Sequence, residues 1–199
     1  MEQTILFIND TVSPEGTETH RLRPFSLFNS STHRSLPLTL IASVGENLEL
    51  GKGGDLCWHI REDLRHFKEL TMGGAVIMGR STWESLPKKP LPGRKNIVIT
   101  TNLDYETPGA VTVGSLELAL EEARGQVAFI IGGESVYRQA MPLATNLEIT
   151  RIHASEPEAD KFFPAIDPAE WALEGESELM SAPGAPSYRF QRYIRIEKQ

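Results

Sequence analysis

The chain has 199 residues, 40% hydrophobic and 24% charged, the balance of one soluble globular domain long enough to bury a core. Its net charge of −7 argues against a nucleic-acid-binding surface, and any anionic ligand must be held locally by Arg, Lys and backbone N–H groups. The one cysteine, Cys57, cannot form an internal disulfide, and no apolar run reaches the length of a membrane span, so a cytoplasmic protein without membrane or nucleic-acid partners is expected.

Residues 1–37 are rich in Ser, Thr, Pro and His and hold no sustained period after Ile8. They read as an N-terminal extension, disordered or laid over the surface, with at most a short strand at residues 4–8. The domain proper is expected over residues 38–199. There the pattern alternates, with strands predicted at 38–44, 75–79, 96–101, 110–113, 127–131 and 147–153. Helices are predicted at 60–71, 82–86, 115–124 and 134–141. Short apolar strands between amphipathic helices imply an α/β domain with a central, mostly parallel twisted sheet and helices on both faces. At the end, WALEGESELM and YRFQRYIRI flank SAPGAPS (Ser181 to Ser187), which predicts a C-terminal antiparallel hairpin.

One position in the first helix is out of place. In IREDLRHFKEL the spacing puts Ile60, Leu64, Phe67 and Leu70, with Thr71, on one face, and Asp63 falls inside that apolar stripe. A buried carboxylate without a partner is costly, so such a group is usually paired, neutralised or working. Asp63 is therefore the first candidate for a catalytic or ligand-orienting acid. The competing reading is an acid that complements the helix N-terminus from its first turn.

Three strands run into residues suited to phosphate. AVIMG ends in Gly79, followed by Arg80, Ser81 and Thr82. VAFII ends in Gly132 and Gly133, followed by Glu134, Ser135 and Val136. NIVITT ends in Thr100 and Thr101. Glycine lets backbone approach a ligand, and Arg supplies a fork for phosphate oxygens. In open α/β sheets ligands gather at the carboxyl ends of strands, so the three segments could converge on one dinucleotide. Each signal alone is weak, and none is the GxGxxG fingerprint.

From Leu38 onward the chain resembles dihydrofolate reductase, over about four-fifths of its length. The resemblance rests on LIAS (40–43), GKGGDLCW with HIREDLRHFKELT (51–71), VIMGRSTWESLP (76–87), PLPGRKNIVIT (90–100), FIIGGESVY (129–137) and EADKFFP (158–164). It implies that fold, and NADPH-dependent reduction of 7,8-dihydrofolate to tetrahydrofolate by hydride transfer to C6 and protonation at N5. By resemblance Asp63 is the acid of the pterin pocket, Thr150 its hydroxyl partner and Trp58 the residue ordering pocket water. Leu64, Phe67 and Leu91 line the substrate, Ile41, Ala42 and Ile131 supply backbone and apolar contacts, and Arg94 grips the α-carboxylate of its glutamate tail. The cofactor set it implies is Ala42, Gly51, Gly79, Arg80, Ser81, Thr82, Thr100, Thr101, Ile131, Gly132, Gly133, Glu134, Ser135, Val136 and Tyr137. Gly132 and Gly133 match a pair joined by a non-proline cis peptide, and Asp160 an acid touching the mobile loop, here residues 45–57.

The sequence also departs from the family pattern. Cys57 stands where a proline is common before the tryptophan, and Arg61 where a second proline is frequent. Lys52, Gly53 and Gly54 make the mobile loop richer in glycine, hence less ordered when empty. Gly114 and Ser135 replace basic residues that some members direct at the 2′-phosphate, leaving preference for NADPH to Arg80 and Thr101. Read without the family, Trp83 and Tyr137 pack the core, Arg94 is a solvated charge after a turn, and Lys88 and Lys89 are surface. His59 and His66 receive no role, and the scattered histidines form no metal cluster. A monomer is expected. Two rivals stand beside this reading: a reductase of the same fold acting on another heterocycle, such as a pyrimidine, and a non-catalytic ligand-binding relative.

Overall fold

In the computed structural model, which describes residues 36–197, the apolar run Leu38–Val44 forms the central strand β1. The extension proposed for residues 1–37, with its strand at 4–8, lies almost wholly outside the described residues. Along the chain follow β2 (Glu49–Lys52), β3 (Asp55–Leu56), α1 (Arg61–Thr71), β4 (Ala75–Gly79), α2 (Arg80–Ser85), β5 (Lys95–Ile99) and β6 (Val111–Val113). The rest are α3 (Leu116–Glu122), β7 (Ala128–Ile130), α4 (Glu134–Ala140), β8 (Asn146–Ile152), β9 (Lys161–Phe162), β10 (Trp171–Glu176) and β11 (Tyr188–Arg195).

Eight strands form one sheet in the order β10-β11-β8-β1-β7-β4-β5-β6. The pairs from β8 through β6 are parallel, while β11 runs antiparallel to both β8 and β10. The predicted hairpin is thus present, with its first strand ending at Glu176 and Met180 joining Tyr188 only through an isolated bridge. Alternation along β1 divides the core. Leu40, Ala42 and Val44 pack with Leu116, Ala119, Val136 and Ala140 of α3 and α4. Ile41 packs with Trp83 of α2, and Phe67 and Leu70 of α1 lie against the same cluster. Helices therefore cover both faces, as parallel strands require. α3 is capped by Ser115, whose Oγ accepts from the Leu118 N–H at 3.3 Å.

Within the segment expected as a mobile loop, β2 and β3 pair and join β9 in a small antiparallel sheet, β3-β2-β9. Lys52 pairs with Asp55, and the intervening Gly53 and Gly54 have φ of 60° and 91°. A two-residue type I′ hairpin turn needs positive φ at both positions, and glycine adopts it without a Cβ clash. These glycines thus build a turn. Two- and four-residue strands are too short to show a period, which is why the sequence did not reveal them.

Candidate active site

Adjacent strands place the residues beneath α1. Ser43 of β1 is the register partner of Thr150 of β8, and Thr150 in turn is opposite Phe190 of β11. The three form a row across one sheet face, and α1 lies over it. Asp63 is 8% exposed. Its Oδ1 accepts from Thr150 Oγ1 and its Oδ2 from Ser43 Oγ, each at 2.5 Å. One turn on, the His66 ring stacks on Phe190 with centroids 4.0 Å apart. Burial pushes the His66 imidazole below its ordinary pKa, against the pull of the Asp63 and Glu69 charges.

The buried line of α1 is not quite the predicted stripe. Ile60 and Thr71 are buried and Phe67 and Leu70 half-buried, but Leu64 stands 48% exposed. The stripe is rotated toward Asp63, because a carboxylate with two hydroxyl donors can be buried. Asp63 also lies in the first turn of the helix, so the dipole reading describes its position too.

Trp58 packs beside Ile60, Ile152 and Tyr188. Its ring crosses Gly45 so closely that a Cβ there would lie 2.5 Å from Trp58 Cη2 and 2.8 Å from the Ala154 carbonyl oxygen. Buried Glu49 ties the segment down by accepting from the Asn47 N–H and side-chain amide and from the Glu156 N–H. The Asp160 N–H donates to the Gly51 carbonyl at 3.0 Å, and the Gly53 N–H to Asp160 Oδ2 at 3.4 Å.

At the C-terminal end of α1, Arg94 follows the Pro92-Gly93 turn. Its guanidinium donates to Thr71 Oγ1 and to the Pro92 carbonyl, each at 3.1 Å, and lies 5.8 Å from the Phe67 ring centroid. Burial lowers its pKa, though guanidinium stays charged at any ordinary pH. Asn96, 3% exposed, clamps the turn: Oδ1 accepts from the Leu91 N–H, and Nδ2 donates to the Leu91 and Arg94 carbonyls.

The two glycine turns meet. The Gly79 N–H donates to the Gly132 carbonyl at 2.8 Å, and the Gly132–Gly133 peptide is cis. A Cβ on Gly79 would sit 3.3 Å from Val136 Cγ2, and one on Gly132 3.0 Å from Thr82 Oγ1. The two turns thus pack backbone to backbone where β4 and β7 end, with Gly132 buried and Gly79 and Gly133 half-buried. Arg80, Ser81, Thr101 and Ser135 are exposed, and Thr82, Ile131 and Glu134 half-buried. Arg80 pairs with Glu84 at 3.6 Å and lies 5.7 Å from the Tyr105 ring.

Several residues of the expected cofactor set are tied into the fold itself. Tyr137 is a core residue, 4% exposed, edge-on to Phe163, with its hydroxyl donating to the Ile41 carbonyl at 2.7 Å. Burial, then the Asp63 charge, raises its pKa well above the ordinary tyrosine value. Its ring props β1 from below and also borders the glycine turn, since a Cβ on Gly132 would lie 3.7 Å from Tyr137 Cε2. Val136 is likewise buried in the core, and the buried Thr100 hydroxyl accepts from the Asn102 N–H. Gly51 belongs to the small sheet, paired with Leu56. Ser43, Thr71, Asn96 and Glu49 were missed as site or site-supporting residues. The available signal was a polar side chain in an otherwise apolar strand, as in LTLIASV.

The sequence profile of the dihydrofolate reductase family matches residues 37–195. The dihydrofolate reductase of Neisseria meningitidis serogroup A is 51% identical over 161 residues, covering 80% of this chain and 99% of its own. That of Bacillus subtilis is 42% identical over 158 residues, covering 78% and 93%. A solved dihydrofolate reductase from Enterococcus faecalis, complexed with NADP(H) and RAB-propyl, superposes with a TM-score of 0.75 at 32% identity, covering 81% of this chain and 97% of that one. With this sheet order, these two glycine turns and this buried acid, the chain belongs to the dihydrofolate reductase family.

Proposed function

We propose that Asp63 is the working acid of this reductase and Arg94 the anchor for its substrate's carboxylate tail. The enzyme reduces 7,8-dihydrofolate to 5,6,7,8-tetrahydrofolate with NADPH. The observation that carries the assignment of roles is the pair of hydroxyl donors on the one buried carboxyl beneath α1. Each carboxylate oxygen keeps a further lone pair, and together these match the paired N–H groups of the pterin N3 and 2-amino edge. Held there, Asp63 promotes protonation at N5, through water or enol tautomerisation rather than by direct delivery. Trp58 and Thr150 order that end of the pocket, Ile41, Leu64, Phe67, Leu91 and Ile131 wall the rings, and Ala42, whose side chain faces the other side of β1, offers only its backbone. Arg94, pre-set by Thr71 and Pro92, offers its remaining N–H donors to the α-carboxylate.

Bound NADPH supplies the hydride. Gly79, Gly132 and Gly133 admit its pyrophosphate to backbone, with Ser81, Thr82 and Ser135 as hydroxyl donors, while Arg80 and Thr101 receive the 2′-phosphate. Among the described residues no helix is long and apolar enough to cross a membrane. With the single cysteine and the charge of −7 this supports a cytoplasmic protein, and we take it to act as a monomer.

NADPH oxidation is followed with dihydrofolate, with NADH in place of NADPH, and with Asp63→Asn. Turnover by the variant at neutral pH is expected to fall about a hundredfold or more while nucleotide affinity holds. Unchanged turnover removes Asp63 from the chemistry. Equal use of NADH removes Arg80 and Thr101 from discrimination. A pyrimidine substrate turned over in preference to dihydrofolate would favour the rival reductase.

A further inference from the structure

The Asp63 carboxyl is gripped from two strands. Thr150 accounts for Oδ1, but Oδ2 accepts from Ser43, a second hydroxyl at the same register on the neighbouring strand. Strand register places both hydroxyls on the face under α1, since Ser43 alternates with Ala42 and Val44 on β1 while Thr150 alternates with Ile149 on β8. A carboxyl held by one donor can turn about its Cβ–Cγ bond. Held at both oxygens by donors from one rigid sheet, it keeps one plane and one direction for its free lone pairs. The other groups around Asp63 do not supply this. The His66 ring lies on Phe190, the Tyr137 hydroxyl is given to the Ile41 carbonyl, and Glu62 precedes it on the same helix.

We infer that Ser43 is a positioning residue for substrate. Its hydroxyl, with that of Thr150, fixes the plane of the Asp63 carboxylate so that both oxygens meet a ligand's paired N–H groups at once. The inference rests on the assignment of Asp63 to the pterin edge. The Ser43 hydroxyl is given to Asp63 and not to the Gly79 and Gly132 turns, so its contribution falls on the substrate's binding. Hydrogen bonds to a charged group are among the stronger ones, and pre-orienting the acceptor removes an ordering cost otherwise met on binding.

The test compares the full-length enzyme with Ser43→Ala, Ser43→Thr and Asp63→Asn, recording KM for dihydrofolate, KM for NADPH, kcat and NADPH affinity. Ser43→Ala is expected to raise the dihydrofolate KM about tenfold with kcat reduced less and the NADPH constants unchanged. Ser43→Thr, which keeps the hydroxyl, is expected to restore most of that loss. The inference is overturned if Ser43→Ala leaves the dihydrofolate KM unchanged. It is also overturned if substrate and nucleotide constants worsen together, or if Ser43→Thr behaves as Ser43→Ala, since each marks a packing role. The two ideas fail separately: Asp63→Asn without effect sinks the acid, whereas a crippled Asp63→Asn beside a normal Ser43→Ala sinks only Ser43.

Discussion

The Arg94 guanidinium and the Thr71 hydroxyl are hydrogen-bonded at 3.1 Å, joining the turn before β5 to the last residue of α1. The same Thr71 hydroxyl donates back to the Phe67 carbonyl at 2.7 Å, so one buried side chain both closes the helix and aims the arginine. Thr71→Val removes both bonds while keeping the shape. The dihydrofolate KM is expected to rise about fivefold, and turnover of a 7,8-dihydropteridine lacking the glutamate tail to stay unchanged. Arg94→Lys should cost more with dihydrofolate, because an ammonium cannot match the carboxylate bidentately. Equal losses with both substrates would show that Arg94 does not meet the tail.

Asn96 supplies three hydrogen bonds to the Leu91–Arg94 segment from a buried position. Asn96→Ala strands those backbone groups and is expected to lower stability by about 2–3 kcal/mol, read by denaturant titration. A raised dihydrofolate KM should accompany the loss, because the clamped turn carries Arg94.

Gly45 has no room for a methyl group. Its Cβ would fall 2.5 Å from both Glu49 Oε2 and Trp58 Cη2, and the Ala154 carbonyl closes the third side. Side chains can yield, but the carbonyl belongs to a backbone that already accepts from the Glu46 N–H at 3.0 Å. Gly45→Ala is expected to cost about 1–3 kcal/mol of stability. Displacement of Trp58 should also reduce turnover in assays run well below the melting temperature.

His66 gives the stability of the enzyme a pH dependence. Its folded pKa is depressed, chiefly by burial, below the ordinary 6.5. Between those two values the unfolded chain binds the proton more readily, so stability rises with pH through this window and is lost as pH falls below about 6.5. Unfolding midpoints measured across mildly acid pH should show that fall, and His66→Phe, which keeps the stack on Phe190, should flatten it. An identical slope in the variant would assign the effect elsewhere.

Much of the fold was legible from pattern alone. β1 and β4 coincide with their predicted runs, and the other long elements shift by one or two residues at their ends, where fraying and caps decide. Helix spacing exposed Asp63 as an acid in an apolar stripe, and the glycines marked the two turns that meet at Gly79 and Gly132. These are local signals: a period of two or 3.6, or a residue without a Cβ. The β2–β3 hairpin is not legible in the sequence because Gly53 and Gly54 serve equally well in an open loop and in a tight turn.

What pattern could not supply was pairing across the chain. Ser43 and Thr150 lie 107 positions apart, and only the parallel register of β1 with β8 sets both hydroxyls against one carboxyl. Tyr137 makes the same point, since nothing among its neighbours in sequence tells that its hydroxyl is given to the Ile41 carbonyl 96 positions away. Sequence by itself determined which residues bring chemistry and which stretches become strand or helix, because those depend on neighbours within a few positions. Tertiary structure alone decided how the acid is gripped, how the arginine is aimed and where the tyrosine is seated, because each depends on the distance between segments that the chain order leaves free.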